Sequence, residues 1–177
     1  MARTTFSGPV RSLGGFYTQG PNTVVEVANG TNTLTLDVAN YAGRTLRTND
    51  ATPIITLPTI VATADPASSG PGADPNTINN LGATYRVFVE TTASALAIKT
   101  NGTDKFVGSL LMVDTDSSGA VSGYAPASSN DVINLDGSTT GGIAGSWIEI
   151  TAVDANKYFV TGILLGSGSV ATPFADA

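Results

Sequence analysis

The chain has 177 residues, 41% of them apolar and 12% charged, with a net charge of −6 and a pI near 4.3. That length suffices for one ordinary domain or two small ones with a full hydrophobic core, and the composition is not that of a charged, disordered tail. With no His and no Cys, the commonest general base, thiolate zinc sites, Cys nucleophiles and disulfide frameworks are all excluded, and the acidic balance argues against a broad basic face for nucleic acid.

Residues 1–20 carry Arg3 and Arg11, no acid, and the isolated anchors Phe6, Val10, Leu13, Phe16 and Tyr17 set among Gly and Pro, which reads as an extended N-terminal arm. No apolar stretch of roughly 7–15 residues follows, so no secretory leader is expected. No run approaches the ~20 residues of a bilayer span, so no membrane partner is expected either. Synthesis in a cytoplasm is the resulting expectation.

Strand signals then recur along the chain. Thr23 to Ala28 is the first. Thr33 to Val38 alternates, with Leu34, Leu36 and Val38 on one face, and Pro53 to Leu57 follows. Residues 62–83 contain Asp65-Pro66, Ser69-Gly70-Pro71-Gly72 and Asp74-Pro75. They read as a loop longer than the roughly 12–15 residues beyond which loops are usually functional or disordered. Tyr85 to Glu90 alternates with Tyr85, Val87 and Val89 inward. Leu96 to Thr100, Asp104 to Val113 and Asp131 to Leu135 are further strands, with a polar loop over 114–130. Trp147 to Thr151 turns Ile148 and Ile150 inward. Lys157 to Leu165 is apolar on both faces, as a central or interface strand is.

Asn29-Gly30 and Asn101-Gly102 fall between apolar alternations and predict type I′ hairpin turns, whose central residues need φ > 0. Each is followed by Thr and so also matches a glycosylation acceptor, for which the absent leader leaves little room. Helical periodicity is nearly missing. The expected fold is all-β: an antiparallel β-sandwich or small β-barrel over 21–177, with 21–83 and 84–177 as potential sub-parts, preceded by the arm.

Motifs for chemistry are thin. Asp114-Thr115-Asp116-Ser117-Ser118-Gly119 begins like a calcium loop, but the twelfth position is Ala125 where a bidentate acid is needed, and two acids with a Gly also make an ordinary turn. The Gly-rich segment 137–145 lacks the Lys of a phosphate loop and a following helix, leaving a flexible turn before Trp147. No Gly-x-Ser-x-Gly elbow occurs. Glu26, Glu90 and Glu149 alternate with apolar residues, which places them on a solvated sheet face rather than in a carboxylate pair for glycoside hydrolysis. Trp147, Tyr158 and Phe159 can meet across adjacent strands, as sheet packing or as a stacking platform for a glycan.

Two parts of the chain resemble known proteins. Thr5-Phe6-Ser7-Gly8-Pro9-Val10-Arg11-Ser12 with Gly15-Phe16 resembles the start of small virion proteins encoded beside the major capsid gene in tailed bacteriophages. The second half is similar to the same group in Thr84 to Val89, in Ile98-Lys99-Thr100-Asn101-Gly102-Thr103-Asp104-Lys105-Phe106-Val107-Gly108, in Gly145-Ser146-Trp147-Ile148-Glu149-Ile150, in Lys157 to Gly162 and in Ser167-Gly168. The resemblance spans roughly 1–20 and 84–177. It implies a head decoration (cement) protein on the capsid exterior, a homotrimer whose partner is the major capsid protein, with no cofactor, no metal and no catalytic residue.

Under that expectation Arg3, Phe6, Val10, Arg11 and Phe16 contact the capsid, while Trp147, Ile148, Ile150, Phe159 and Leu164 build the core or the trimer seam. Charge distribution agrees: Arg3, Arg11, Arg44 and Arg47 fall in the first 50 residues against three acids, while residues 51–177 carry eleven acids and four bases. The alternatives are a glycan- or host-surface-binding module, using the loops 62–83 and 114–130 and Trp147, and a Ser- or carboxylate-based hydrolase.

Overall fold

The computed structural model describes residues 24–27, 33–62, 79–116 and 119–177. The expected arm, with Arg3, Phe6, Val10, Arg11 and Phe16, lies outside the described residues, as does most of the loop 62–83. Among the described residues the chain is all-β. It forms strands β1 (Val24–Val27), β2 (Thr33–Thr35), β3 (Thr45–Thr48), β4 (Ile54–Thr56), β5 (Thr84–Val89), β6 (Leu96–Lys99) and β7 (Lys105–Gly108). Beyond these come β8 (Leu110–Asp114), β9 (Val121–Tyr124), β10 (Val132–Leu135), β11 (Trp147–Asp154), β12 (Lys157–Gly166) and β13 (Phe174–Ala175).

A single helical turn, α1 (Val38–Tyr41), interrupts the alternation expected to run to Val38. Its cause is local: the Asp37 carboxylate accepts the Asn40 amide at 2.8 Å, an N-cap that competes with strand pairing.

Two sheets pack face to face. The large one runs β1-β3-β5-β11-β12-β8-β9, with β7 also paired to β12, and the small one runs β13-β10-β6-β4-β2. Pairing is mixed, not uniformly antiparallel as expected. The reason lies in the path of the chain, because the first six strands alternate between the sheets. Returning strands are therefore parallel: β1, β3 and β5 in one sheet, β2, β4 and β6 in the other. The pairs Val24–Thr45 and Thr33–Ile54 are both 21 residues apart, so the first half is a stack of coils. The next step, Thr45–Arg86, spans 41, because the 62–83 segment is inserted between coils.

Stacking aligns aliphatic side chains into columns. Val25, Leu46 and Val87 share one, and Leu34, Ile55 and Ile98 share another. Leu46, Ile55, Val87 and Ile98 are fully buried. The same path corrects the hairpin expectation. Gly102 has φ +87, yet β6 and β7 belong to different sheets, so Asn101-Gly102 turns the chain across the core instead of joining paired strands. Asn29-Gly30 lies outside the described residues, but its flanking strands β1 and β2 are likewise in different sheets.

From β7 onward antiparallel pairs dominate. β11 and β12 form a hairpin, closed at Asn156 (φ +60), with Lys157 donating to Asp154 at 2.9 Å. The expected strand Asp104 to Val113 is broken at Gly108 (φ +107), where a Cβ would collide with the Val160 carbonyl oxygen. The expected loop 114–130 contains β9. One core joins both halves, from Val27 and Leu36 to Leu164 and Phe174. Tyr158 ties them further, its hydroxyl donating to the Pro58 carbonyl at 2.6 Å.

Candidate functional site

Alternation sends every second residue of the large sheet away from the core, and the register lines these residues into rows across the strands. One row is Phe88, Trp147, Ile163 and Leu111. The row beside it is Thr45, Arg86, Glu149 and Thr161, extended by Ser109 in the break between β7 and β8. A third is Thr84, Thr151, Phe159 and Val107. The first row is apolar throughout, and the third is apolar only at Phe159 and Val107. The middle one is short and polar at Thr161 and Ser109, between Ile163 and Phe159 on β12 and between Leu111 and Val107 beside it. The result is a trough at the β12 end of the middle row, with a concavity of about 330 Å³ lined by Ser109, Leu111, Trp147, Thr161, Gly162 and Ile163. A smaller one, about 60 Å³, lies farther along the same row between Thr45, Thr84, Arg86 and Glu149.

This face is unusually apolar for a surface. Phe88 is 38% exposed, Ile163 39%, Phe159 43% and Leu111 46%. Its charges are compensated in place. Arg86 pairs with Glu149 at 2.5 Å, and Arg47 with Glu26 at 3.2 Å and Glu90 at 3.3 Å. The three glutamates thus sit on a solvated face, as alternation predicts. Arg47 is bound to two of them, however, which removes it from the free basic surface that the charge asymmetry of the sequence points to.

The residues expected in a core or seam divide by parity. Ile148, Ile150 and Leu164 are fully buried. Trp147 and Phe159 point outward and cannot be core, because odd-numbered positions of β11 and β12 face away from the partner sheet. Tyr158 is buried and therefore does not join Trp147 and Phe159 in one aromatic cluster. Phe88, Leu111, Ile163, Thr161 and Ser109 were not singled out by sequence reasoning. Phe88 had a usable signal: it is an apolar residue on the outward side of an alternation shared with Arg86 and Glu90.

Carboxylates elsewhere are bound into the architecture. Asp136 accepts the Ser138 amide at 2.8 Å, the Thr140 amide at 2.9 Å and the Thr139 hydroxyl at 2.7 Å. Burial opposes its ionisation, but these hydrogen bonds prevail and hold it at about 2. The Gly-rich segment after it is consequently a built turn and not a flexible one. Gly137 has φ +74, and a Cβ there would strike the Ala93 carbonyl oxygen.

Asp114 and Asp116 likewise spend their oxygens on backbone amides, those of Asp116 (3.2 Å) and Gly168 (2.9 Å). Among the described residues no three acids converge as a cation site would require. The Lys105 ammonium at 2.7 Å keeps Asp131 below the ordinary carboxylate range.

Asp104 is the exception. It is fully buried, accepts the Ile60 amide at 2.9 Å through Oδ2, and leaves Oδ1 without a partner. Burial pushes its pKa up, against the pull of that hydrogen bond. Tyr85, also buried with an unpaired hydroxyl, is pushed up to about 12 by burial and by the charge of Asp37. Sequence alternation gave no sign of this polar spot inside the core.

Neither the family models, nor the curated proteins, nor the solved structures contain a match to this chain.

Proposed function

We propose that this chain is a structural virion protein that decorates the exterior of a bacteriophage capsid and stabilises it by binding at capsomer junctions. The observation that carries the reading is where the sheets end. Among the described residues, β1 and β2 are the outer strands of the large and the small sheet, and both belong to the coil that follows residues 1–23. Edge strands carry backbone groups that a neighbouring polypeptide can pair with, and strand addition yields hydrogen bonds along the whole edge.

The arm residues Arg3, Phe6, Val10, Arg11 and Phe16 supply the anchoring contacts at that end, with the major capsid protein as partner and three copies per assembly. Stabilisation follows from mass action: a ligand that binds only the assembled shell must be released before the shell can open.

The test is to mix the purified chain with capsids lacking it, alongside a variant without residues 1–20. Co-sedimentation and raised capsid heat tolerance are expected for the full chain and are lost in the truncation. Equal binding by both would overturn the role of the arm, and no binding by either would overturn the function.

A further inference from the structure

We propose that the trough on the outer face of the large sheet is a binding site for a neutral, linear oligosaccharide. The argument starts from unused hydrogen-bonding groups. Ser109, Thr161 and Trp147 all line the larger concavity, and among the described residues neither hydroxyl nor the indole N–H has a hydrogen-bond partner. Around them stand the apolar surfaces of Leu111, Ile163 and the Trp147 ring. A pyranose presents this same pairing, with hydroxyls at its rim and a C–H face that stacks on an aromatic ring.

Charge selects within the sugars. The floor has one ionised pair, Arg86 and Glu149, neutral as a unit and able to accept and donate to hydroxyls. The chain carries −6 overall, so an acidic polymer is repelled. A basic ligand would have to take Glu149 from Arg86.

Geometry selects for a linear ligand. From Ser109 to Thr45 the middle row crosses four strand spacings of about 4.8 Å, a track of about 19 Å with the larger concavity at one end, the smaller at the other and the Arg86–Glu149 pair along it. A peptide fits this track poorly. The strands beneath are central, their backbone groups already paired, so a peptide lying across them would find no ladder for its own amides. A saccharide brings its hydrogen-bonding groups at its edge. The site lies apart from the β1 and β2 edges that carry the capsid reading, and it requires that the trimer seam leave Trp147 uncovered.

The single Trp makes the test direct. Trp147 emission is titrated with maltohexaose, cellohexaose and a β-galactohexaose, and with an acidic hyaluronan hexasaccharide as the charge control. Saturable change with at least one neutral hexasaccharide in the millimolar range is expected. Thr161→Val and Ser109→Ala, which keep the fold and the fluorophore, should each weaken it about threefold to tenfold. Trp147→Ala, followed by calorimetry, should abolish binding while leaving the thermal transition in place. No saturable change with any neutral sugar overturns the proposal. So does equal or tighter binding of the acidic probe, or affinity unaffected by Thr161→Val. An emission already blue-shifted in a self-associated form, and red-shifted on dilution, would show a second copy occupying this face and would also overturn it.

Discussion

The coil stack of β1 to β6 and the mainly antiparallel half from β7 onward bury the same kind of aliphatic side chain by different routes. In the stack, each strand meets its sheet neighbour one coil later, and like residues fall into columns such as Leu34, Ile55 and Ile98. In the second half, β11 and β12 pair locally as a hairpin, and alternation alone sorts Ile148, Ile150 and Leu164 inward. β5 and β6 join the two systems, each parallel to the preceding coil on one side and antiparallel to a later strand on the other. A stack of coils can fray from its end, whereas a hairpin in mid-sheet opens only with the whole. The shared core ties the fate of one to the other.

The strongest way to break this comparison is to hollow each half in turn. Leu46→Ala in the stack and Leu164→Ala in the second half should each cost about 2–5 kcal/mol, since both side chains are fully buried. Both should shift one cooperative urea transition. Two separate transitions would mean that the halves do not share their stability. Hydrogen exchange sharpens the point: β1 and β2 amides should exchange before those of β11 and β12.

A smaller effect is expected at the turn that leads into the β11–β12 hairpin. Gly137→Ala places a side chain at positive φ and against a carbonyl, which costs about 1–3 kcal/mol and is read as a lowered thermal midpoint. The neighbouring Asp136 titrates in the opposite sense to Asp104. Its pKa is depressed, so its contribution is complete above its ordinary value of 3.8 and disappears as pH falls through about 2. Asp136→Asn should therefore flatten the loss of stability over that acid range.

Asp104 has a raised pKa, so the folded state holds its proton more firmly than the unfolded chain does. Its penalty is absent below the ordinary value of 3.8 and grows as pH rises through the folded value. Asp104→Asn keeps an acceptor for the Ile60 amide and removes the buried charge. Stability should rise at neutral pH, with the gain vanishing in acid, as followed by urea midpoints across pH. The smallest change is Arg47→Ala, which removes exposed ion pairs to Glu26 and Glu90 and should cost no more than about 1 kcal/mol in the same assay.

Much of the fold was legible because a period of two needs only local reading. Tyr85, Val87, Val89, Ile148 and Ile150 are all fully buried where alternation sent them. Three strands escaped it. β3 begins with Thr-Leu-Arg-Thr, β9 holds a Gly, and β13 is two residues long, so none contains enough alternation to register. The candidate site was legible only in part. Trp147 was visible as a lone large aromatic, but its neighbours Ile163 and Leu111 come from strands that meet only in the folded sheet.

By itself the order of residues determined that strands would form, which faces would be apolar, and that Glu26, Glu90 and Glu149 would stand in solvent, because these follow from side-chain chemistry within a few positions. Only the tertiary structure decided that the first six strands cross between sheets and return in parallel, and that Thr161 and Ser109 would lie between Ile163 and Leu111 on one side and Phe159 and Val107 on the other. Register between distant strands depends on how the whole core packs, and no local stretch of sequence encodes it.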